Sequence, residues 1–180
     1  MVQNVFGLPF PYLDQVGIAD GLGFDGRPWT DMSPMSYPGL PEQMQYQINM
    51  GDAAREDLTS KQAAGCFVTG IDGTLSDLLI HEMTHVWQYR YTRTRVGLWA
   101  SSVFGHYGFT AGAPWSSYSV EQQASMVEQW FHNGALKTDA LYPYIKLVLR
   151  SRDDALNYAS DLNLNELNRD LASLRARHLD

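Results

Sequence analysis

A chain of 180 residues with 44% hydrophobic, 12% aromatic and 18% charged residues has the size of one domain and the composition of a globular protein rather than a disordered one. Its formal net charge of −7 argues against nucleic acid held through phosphate contacts, which need a clustered positive field. No stretch approaches the roughly 20 apolar residues of a membrane span, and the single cysteine, Cys66, excludes an internal disulfide and reads as a buried structural residue.

The N-terminal segment "MVQNVFGLPFPYLDQVG" has no basic start, and Gly7, Pro9 and Pro11 break its apolar run, so it is not a secretory signal. The chain is therefore expected to be soluble in the cytoplasm as synthesised, with any export using another route. Residues 1–42 are rich in glycine and proline and show no sustained period of 2 or 3.6, which predicts an irregular segment. Phe6, Phe10, Tyr12, Phe24, Trp29 and Tyr37 within it predict that it wraps over the domain. A short helix is expected across "DAAREDLTSKQAA" and a strand across "GCFVTG".

The clearest helix follows. In "GTLSD", Thr74 is a candidate N-cap with Asp77 three residues on, an approximate capping box with its acid in the first turn. Leu75, Leu79, Met83 and Val86 recur on one helical face, predicting a helix from about 75 to 91. Arg90, Arg93 and Arg95 read as cations complementing its C-terminal dipole. A second helix is expected near 119–132, where Val120, Ala124, Val127 and Phe131 keep period and Asn133-Gly134 supplies a stop. "TDALYPYIKLVLRS", limited by Pro143, and "NLNELNRDLASLRARH" read as further helices; the leucine stripe of the latter is assigned to the domain's own core rather than to a partner.

Within the dry stretch "LLIHEMTHVWQY" (78–89) lie His81, Glu82 and His85. On a helix, residues four apart share a side, so both imidazoles can reach one metal ion at about 2.0–2.1 Å. Glu82 is rotated by about 100° and is suited to act on a water at that ion rather than to ligate it. Chance placement would leave these three groups costly to bury in an uncharged helix, whereas a bound divalent ion supplies their partner.

A catalytic zinc wants a third protein ligand. Gln88 and Tyr91 stand where the extended H-E-x-x-H-x-x-G-x-x-H form needs glycine and histidine, so that subclass does not apply. Asp77 lies one turn before His81 and is better explained by capping. Glu121 on the second helix is placed ahead of Glu128; Ala124 beside it is small enough to permit close helix approach, and His106 and His132 are further candidates.

The blocks "HEMTHVWQY" and "YSVEQQASMVEQWF" resemble a group of bacterial zinc metallopeptidase-like domains associated with contractile injection and type VI secretion gene clusters. The two blocks together cover 23 of the 180 residues. It implies a zincin-like fold of the gluzincin type with Glu121 as third zinc ligand, and association with a secretion apparatus or delivery as an effector.

The expected fold class is therefore mainly α with a small β element: a single zincin-like domain with 1–42 wrapping it, 43–150 holding the metal-site core and 151–180 forming a C-terminal helix. The expected function is zinc-dependent hydrolysis of a peptide or amide. His81, His85 and Glu121 hold one Zn²⁺, and Glu82 is the general base that activates its water. Tyr118, Tyr107 or His106 is the candidate donor to the oxyanion. The expected partners are a peptide or protein substrate and a secretion-apparatus protein, with no nucleic acid and no membrane. The strand at "GCFVTG" would pair with an extended substrate. The rival expectation is a non-catalytic adaptor of an injection apparatus in which zinc braces two helices.

Overall fold

The computed structural model describes residues 1–6, 13–23, 26–31, 46–63, 73–91 and 107–145. Among them are four α-helices, α1 (Val2–Phe6), α2 (Leu75–Tyr91), α3 (Val120–His132) and α4 (Tyr142–Ile145), and three short strands, β1 (Val16–Ala19), β2 (Trp29–Asp31) and β3 (Tyr46–Asn49). The architecture is helix-rich with one small sheet, which agrees with the expected class. The predicted strand at "GCFVTG", Cys66, Arg93, Arg95, His106 and the C-terminal helix of 151–180 lie outside the described residues.

The sheet corrects the reading of residues 1–42 as irregular, because two of its three strands come from that segment. Strand order is β1-β3-β2. β3 pairs in parallel with β1, Val16 opposite Tyr46, and antiparallel with β2, Thr30 opposite Ile48. Four- and three-residue strands are too short to display a period of 2, and β3, paired on both edges, is buried at all four positions, so it lacks alternation altogether. The predicted helix over "DAAREDLTSKQAA" is corrected as well. Only Gly51–Arg55 coils, as a 3₁₀ segment. Beyond it Asp57 accepts hydrogen bonds from the Thr59 backbone N–H (3.0 Å) and hydroxyl (2.6 Å), a local turn that competes with helix continuation.

α2 has the predicted bounds and is the spine of the domain. Its start is fixed by a reciprocal cap: Thr74 N donates to Asp77 Oδ2 (2.8 Å) and Asp77 N donates to Thr74 Oγ1 (3.3 Å). Residues 75–90 are buried on every side, not along one stripe. α1, the sheet and α3 all pack against α2, which explains the scarcity of charge along it. Leu78, Ile80, Met83 and Val86 are nearly or fully inaccessible, each contributing about 1.5–3 kcal/mol by burial.

α3 runs antiparallel to α2, since Asp77 meets His132 at one end and Gln88 meets Val120 at the other. Ser119 caps it: Gln122 N donates to Ser119 Oγ (3.2 Å) while Ser119 N donates to Gln122 Oε1 (3.0 Å). The helix stops where the sequence predicts. Gly134, at φ +99°, donates to Phe131 O (3.0 Å) and Ala135 N to Trp130 O (3.0 Å), a Schellman motif that glycine's freedom at positive φ permits. Ala124 is fully buried on this helix. Pro143 stands in the first turn of α4, where its missing N–H costs nothing. Replacing Ser119 by Ala removes the cap that starts the Glu121 helix. Chemical denaturation should show a loss of about 1 kcal/mol with unchanged m-value.

Candidate metal centre

The α2–α3 contact brings together the three residues predicted as ligands. His81 and His85 project from one side of α2, and Glu121, in the first turn of α3, meets them. All three are buried. His81 Nε2 lies 3.2 Å from His85 Nε2, and each of these nitrogens lies 3.3 Å from Glu121 Oε2. A tetrahedral ion bonded at ~2.0–2.1 Å sets its ligand atoms roughly 3.3–3.4 Å apart, the edge of the tetrahedron. The three donor atoms therefore form one face of such a coordination shell.

The outer nitrogens are held too. His81 Nδ1 donates to Glu128 Oε2 (2.9 Å), and His85 Nδ1 donates to Gln88 Oε1 (2.7 Å). Each bond leaves the Nε2 lone pair of the neutral ring pointing at the shared centre, so the partners select the tautomer a metal needs. Gln88 is fixed in turn, its amide donating to Val120 O and to Gln123 Oε1, both at 3.0 Å. Glu128, considered in sequence as an alternative ligand, thus stands behind His81 and orients it.

The charge inventory supports the same conclusion. Glu82, Glu121 and Glu128 are buried beside two imidazoles, and uncompensated carboxylates in a dry interior are costly. Without a metal the site retains protons instead. Burial by itself would lower the His81 pKa, but hydrogen bonds and attraction from Glu121 and Glu128 outweigh it and hold His81 up to about 10. His85 is raised as well: burial opposes the shift, and the Glu121 charge and hydrogen bond overcome it. Glu121 moves the other way. Burial would raise it, and the two histidines pull it far below the usual carboxylate range. A divalent ion can replace those protons, and the donor set of two imidazoles and a carboxylate suits one. The group could therefore bind a metal ion.

Glu82 occupies the next position on α2. Its carboxyl is raised above its ordinary value, first by burial, against the opposing pull of His85, His81 and a hydrogen bond from Thr30. Thr30 Oγ1 on β2 donates to Glu82 Oε2 at 2.6 Å. Tyr107 stands at the same centre, its ring centroid 6.0 Å from that of His81. Arg27 Nη1 donates to the Tyr107 hydroxyl (3.5 Å), and the guanidinium lies 5.9 Å from the ring centroid. Burial first, and the Glu121 charge second, raise the Tyr107 hydroxyl's pKa.

Other candidates lie elsewhere. The Tyr118 hydroxyl donates to Thr110 O (2.8 Å) and accepts from Ala113 N (3.0 Å), bracing the loop before α3. His132, considered as a ligand, is at the opposite end of the helix pair, where its Nδ1 donates to Asp77 Oδ2 (2.9 Å). Asp77 thus does more than cap α2: it ties the end of α3 to the start of α2. Thr30, Arg27 and the role of Gln88 were not anticipated. Gln88 had a signal, standing three residues after His85 on the same helical side. Thr30, 52 residues from Glu82, had none.

Comparison of the chain with protein-family models, with curated proteins and with solved structures finds no match.

Elemental analysis after loading should find about one divalent ion per chain, lost in Glu121→Ala, while Glu128→Ala should bind the ion about 10–100-fold more weakly. A pH series provides a second check. With its pKa raised from 6.5 to about 10, His81 stabilises the metal-free fold fully below pH 6.5 and loses that contribution as pH rises through about 10. Glu121, with a lowered pKa, stabilises above its ordinary 4.5 and loses its contribution as pH falls through its folded pKa. The metal-free melting temperature should therefore drop between pH 6.5 and 10. The increment gained on adding Zn²⁺ should grow over the same range, because the ion has fewer protons to displace.

Proposed function

We propose that the protein is a zinc-dependent hydrolase of peptide or amide bonds with a zincin-like architecture. The observation that carries the reading is the near-equilateral arrangement of His81 Nε2, His85 Nε2 and Glu121 Oε2, with the Glu82 carboxylate one residue along the same helix. Three protein ligands leave a fourth position for water or substrate, and an acid beside them has no use in a purely structural site.

A zinc ion in that position would supply Lewis acidity, polarising a carbonyl and lowering the pKa of water. The protein's own groups do the rest. His81, His85 and Glu121 would hold the ion, with Glu128 and Gln88 fixing the imidazole orientations. Glu82 accepts the proton of the attacking water and passes it to the leaving amine. Burial raises its pKa above the ordinary carboxyl value, the direction that favours a group able to return a proton after taking one. In this reading Tyr107 would be the donor to a developing oxyanion, supported by its ring lying 6.0 Å from that of His81 and by the contact of its hydroxyl with Arg27.

The substrate proposed is an extended peptide, from a protein or from a cell wall. The proposal includes association with a contractile injection or type VI secretion apparatus, from a chain made in the cytoplasm; the two sequence blocks support it. The rival reading, an adaptor in which zinc braces α2 against α3, draws on the position of the cluster between those helices.

A peptide-library and peptidoglycan-fragment assay on zinc-loaded wild type and Glu82→Gln separates the readings. The hydrolase reading expects cleavage by wild type and a loss of at least about a hundredfold in Glu82→Gln at unchanged zinc content. Absent or equal cleavage in both forms would exclude it in favour of the adaptor. In the same assay Tyr107→Phe should lower kcat by about a hundredfold with zinc retained.

A further inference from the structure

Glu82 is nearly inaccessible, yet its two carboxylate oxygens are treated differently. Oε2 accepts a hydrogen bond from Thr30 Oγ1 at 2.6 Å. Oε1 accepts none from the described residues, and it is not one of the unpartnered polar atoms sealed from solvent, which among them are Gln15 Oε1, Asp77 Oδ1 and Ser125 Oγ. One oxygen is occupied and the other is open.

The occupying hydroxyl is itself fixed from two directions. Thr30 lies at the middle of β2, its backbone in register with Ile48 of the central strand, and it is buried. Its Oγ1 also sits 3.1 Å from the main-chain carbonyl oxygen of Glu82. A single hydroxyl therefore contacts both the backbone and the carboxylate of the same residue, which fixes the side chain's torsions relative to α2. Glutamate has three rotatable bonds, and ordering it unaided would cost conformational entropy at each encounter with substrate. As the donor to a charged acceptor at short distance, the threonine makes one of the stronger kinds of hydrogen bond. β2 and α2 pack together, so the sheet delivers the hydroxyl to a preset place.

We infer that Thr30 is the positioning residue for Glu82: it holds Oε2 against the sheet so that Oε1 faces the metal centre. This rests on the hydrolase reading, in which Glu82 exchanges a proton with a group at the ion. It adds a residue outside both sequence blocks, and a function for the N-terminal part of the sheet beyond packing.

The test need not await a substrate. Acetohydroxamate binding to a zinc-loaded site is strengthened when a neighbouring carboxylate accepts the hydroxamate proton, so its affinity reports where Glu82 stands. Binding is measured by calorimetry on the full chain for wild type, Glu82→Gln, Thr30→Val and Thr30→Ser, each with its zinc content. Valine keeps the β-branched shape suited to a strand and removes only the hydroxyl. We expect Thr30→Val to weaken acetohydroxamate by about tenfold at equal zinc content, and Thr30→Ser to restore it to within about threefold. If Glu82→Gln weakens binding and Thr30→Val does not, the positioning role is wrong while the hydrolase reading stands. If Glu82→Gln itself has no effect, Glu82 does not face the ion and the hydrolase reading falls first. Loss of zinc along with affinity in Thr30→Val would also overturn the inference, because Thr30 would then support the cluster as a whole. Should Thr30→Val not fold, Thr30→Ala is judged by the same comparison.

Discussion

Two imidazoles and three carboxylates are packed into the contact between α2 and α3, and burying that much potential charge is tolerable only if the groups compensate one another or share an ion. The rest of the described structure is arranged to meet that condition. α2 must be central so that solvent does not screen the cluster, which is why α1, the sheet and α3 all cover it. α3 must start where it does, because Glu121 lies in its first turn and the Ser119 cap sets the height at which that carboxylate meets the histidines. The outer ring of Glu128, Gln88 and Thr30 holds His81, His85 and Glu82 by one atom each, and the Nε2 atoms of the two histidines meet Glu121.

The same arrangement connects stability to chemistry. In the metal-free protein His81 carries a proton that its two glutamates hold in place. An ion taking that position would exchange proton compensation for metal compensation without rearranging the helices, since the three donor atoms already stand at three corners of a tetrahedron. Such preorganisation spares the binding step the entropy of assembling the ligands. It also keeps Glu82 near the centre, because a helix that presents residues 81 and 85 to an ion presents residue 82 beside them.

Much of this was legible along the chain. The bounds of α2 and α3 follow from their caps, their apolar recurrence and the Asn133-Gly134 stop, all local signals spanning a few residues. That His81 and His85 share one side of α2 follows from helical spacing alone. Other features were not legible for a common reason. β1 and β2 are too short to show a period and exist because β3 pairs with both. The helix expected over 52–64 yielded to a side-chain turn at Asp57. His132 was one candidate among several until the antiparallel packing placed it beside Asp77 and away from the His81, His85 and Glu121 cluster.

Sequence by itself determined the groups at hand: a helix with two histidines one turn apart, a glutamate between them, and a second helix carrying Glu121 and Glu128. That follows because caps, spacing and composition act within a few residues. Only the tertiary structure decided the division of labour among the acids. Glu121 reaches the shared centre, while Glu128, seven residues and about two helical turns along α3, falls behind His81. Nothing in the spacing of α3 alone distinguishes an acid that meets Nε2 from one that meets Nδ1; the angle and register at which two helices cross does. The partnership of Thr30 with Glu82 is of the same kind, made by a strand 52 residues away whose place is fixed by its pairing and by its packing on α2.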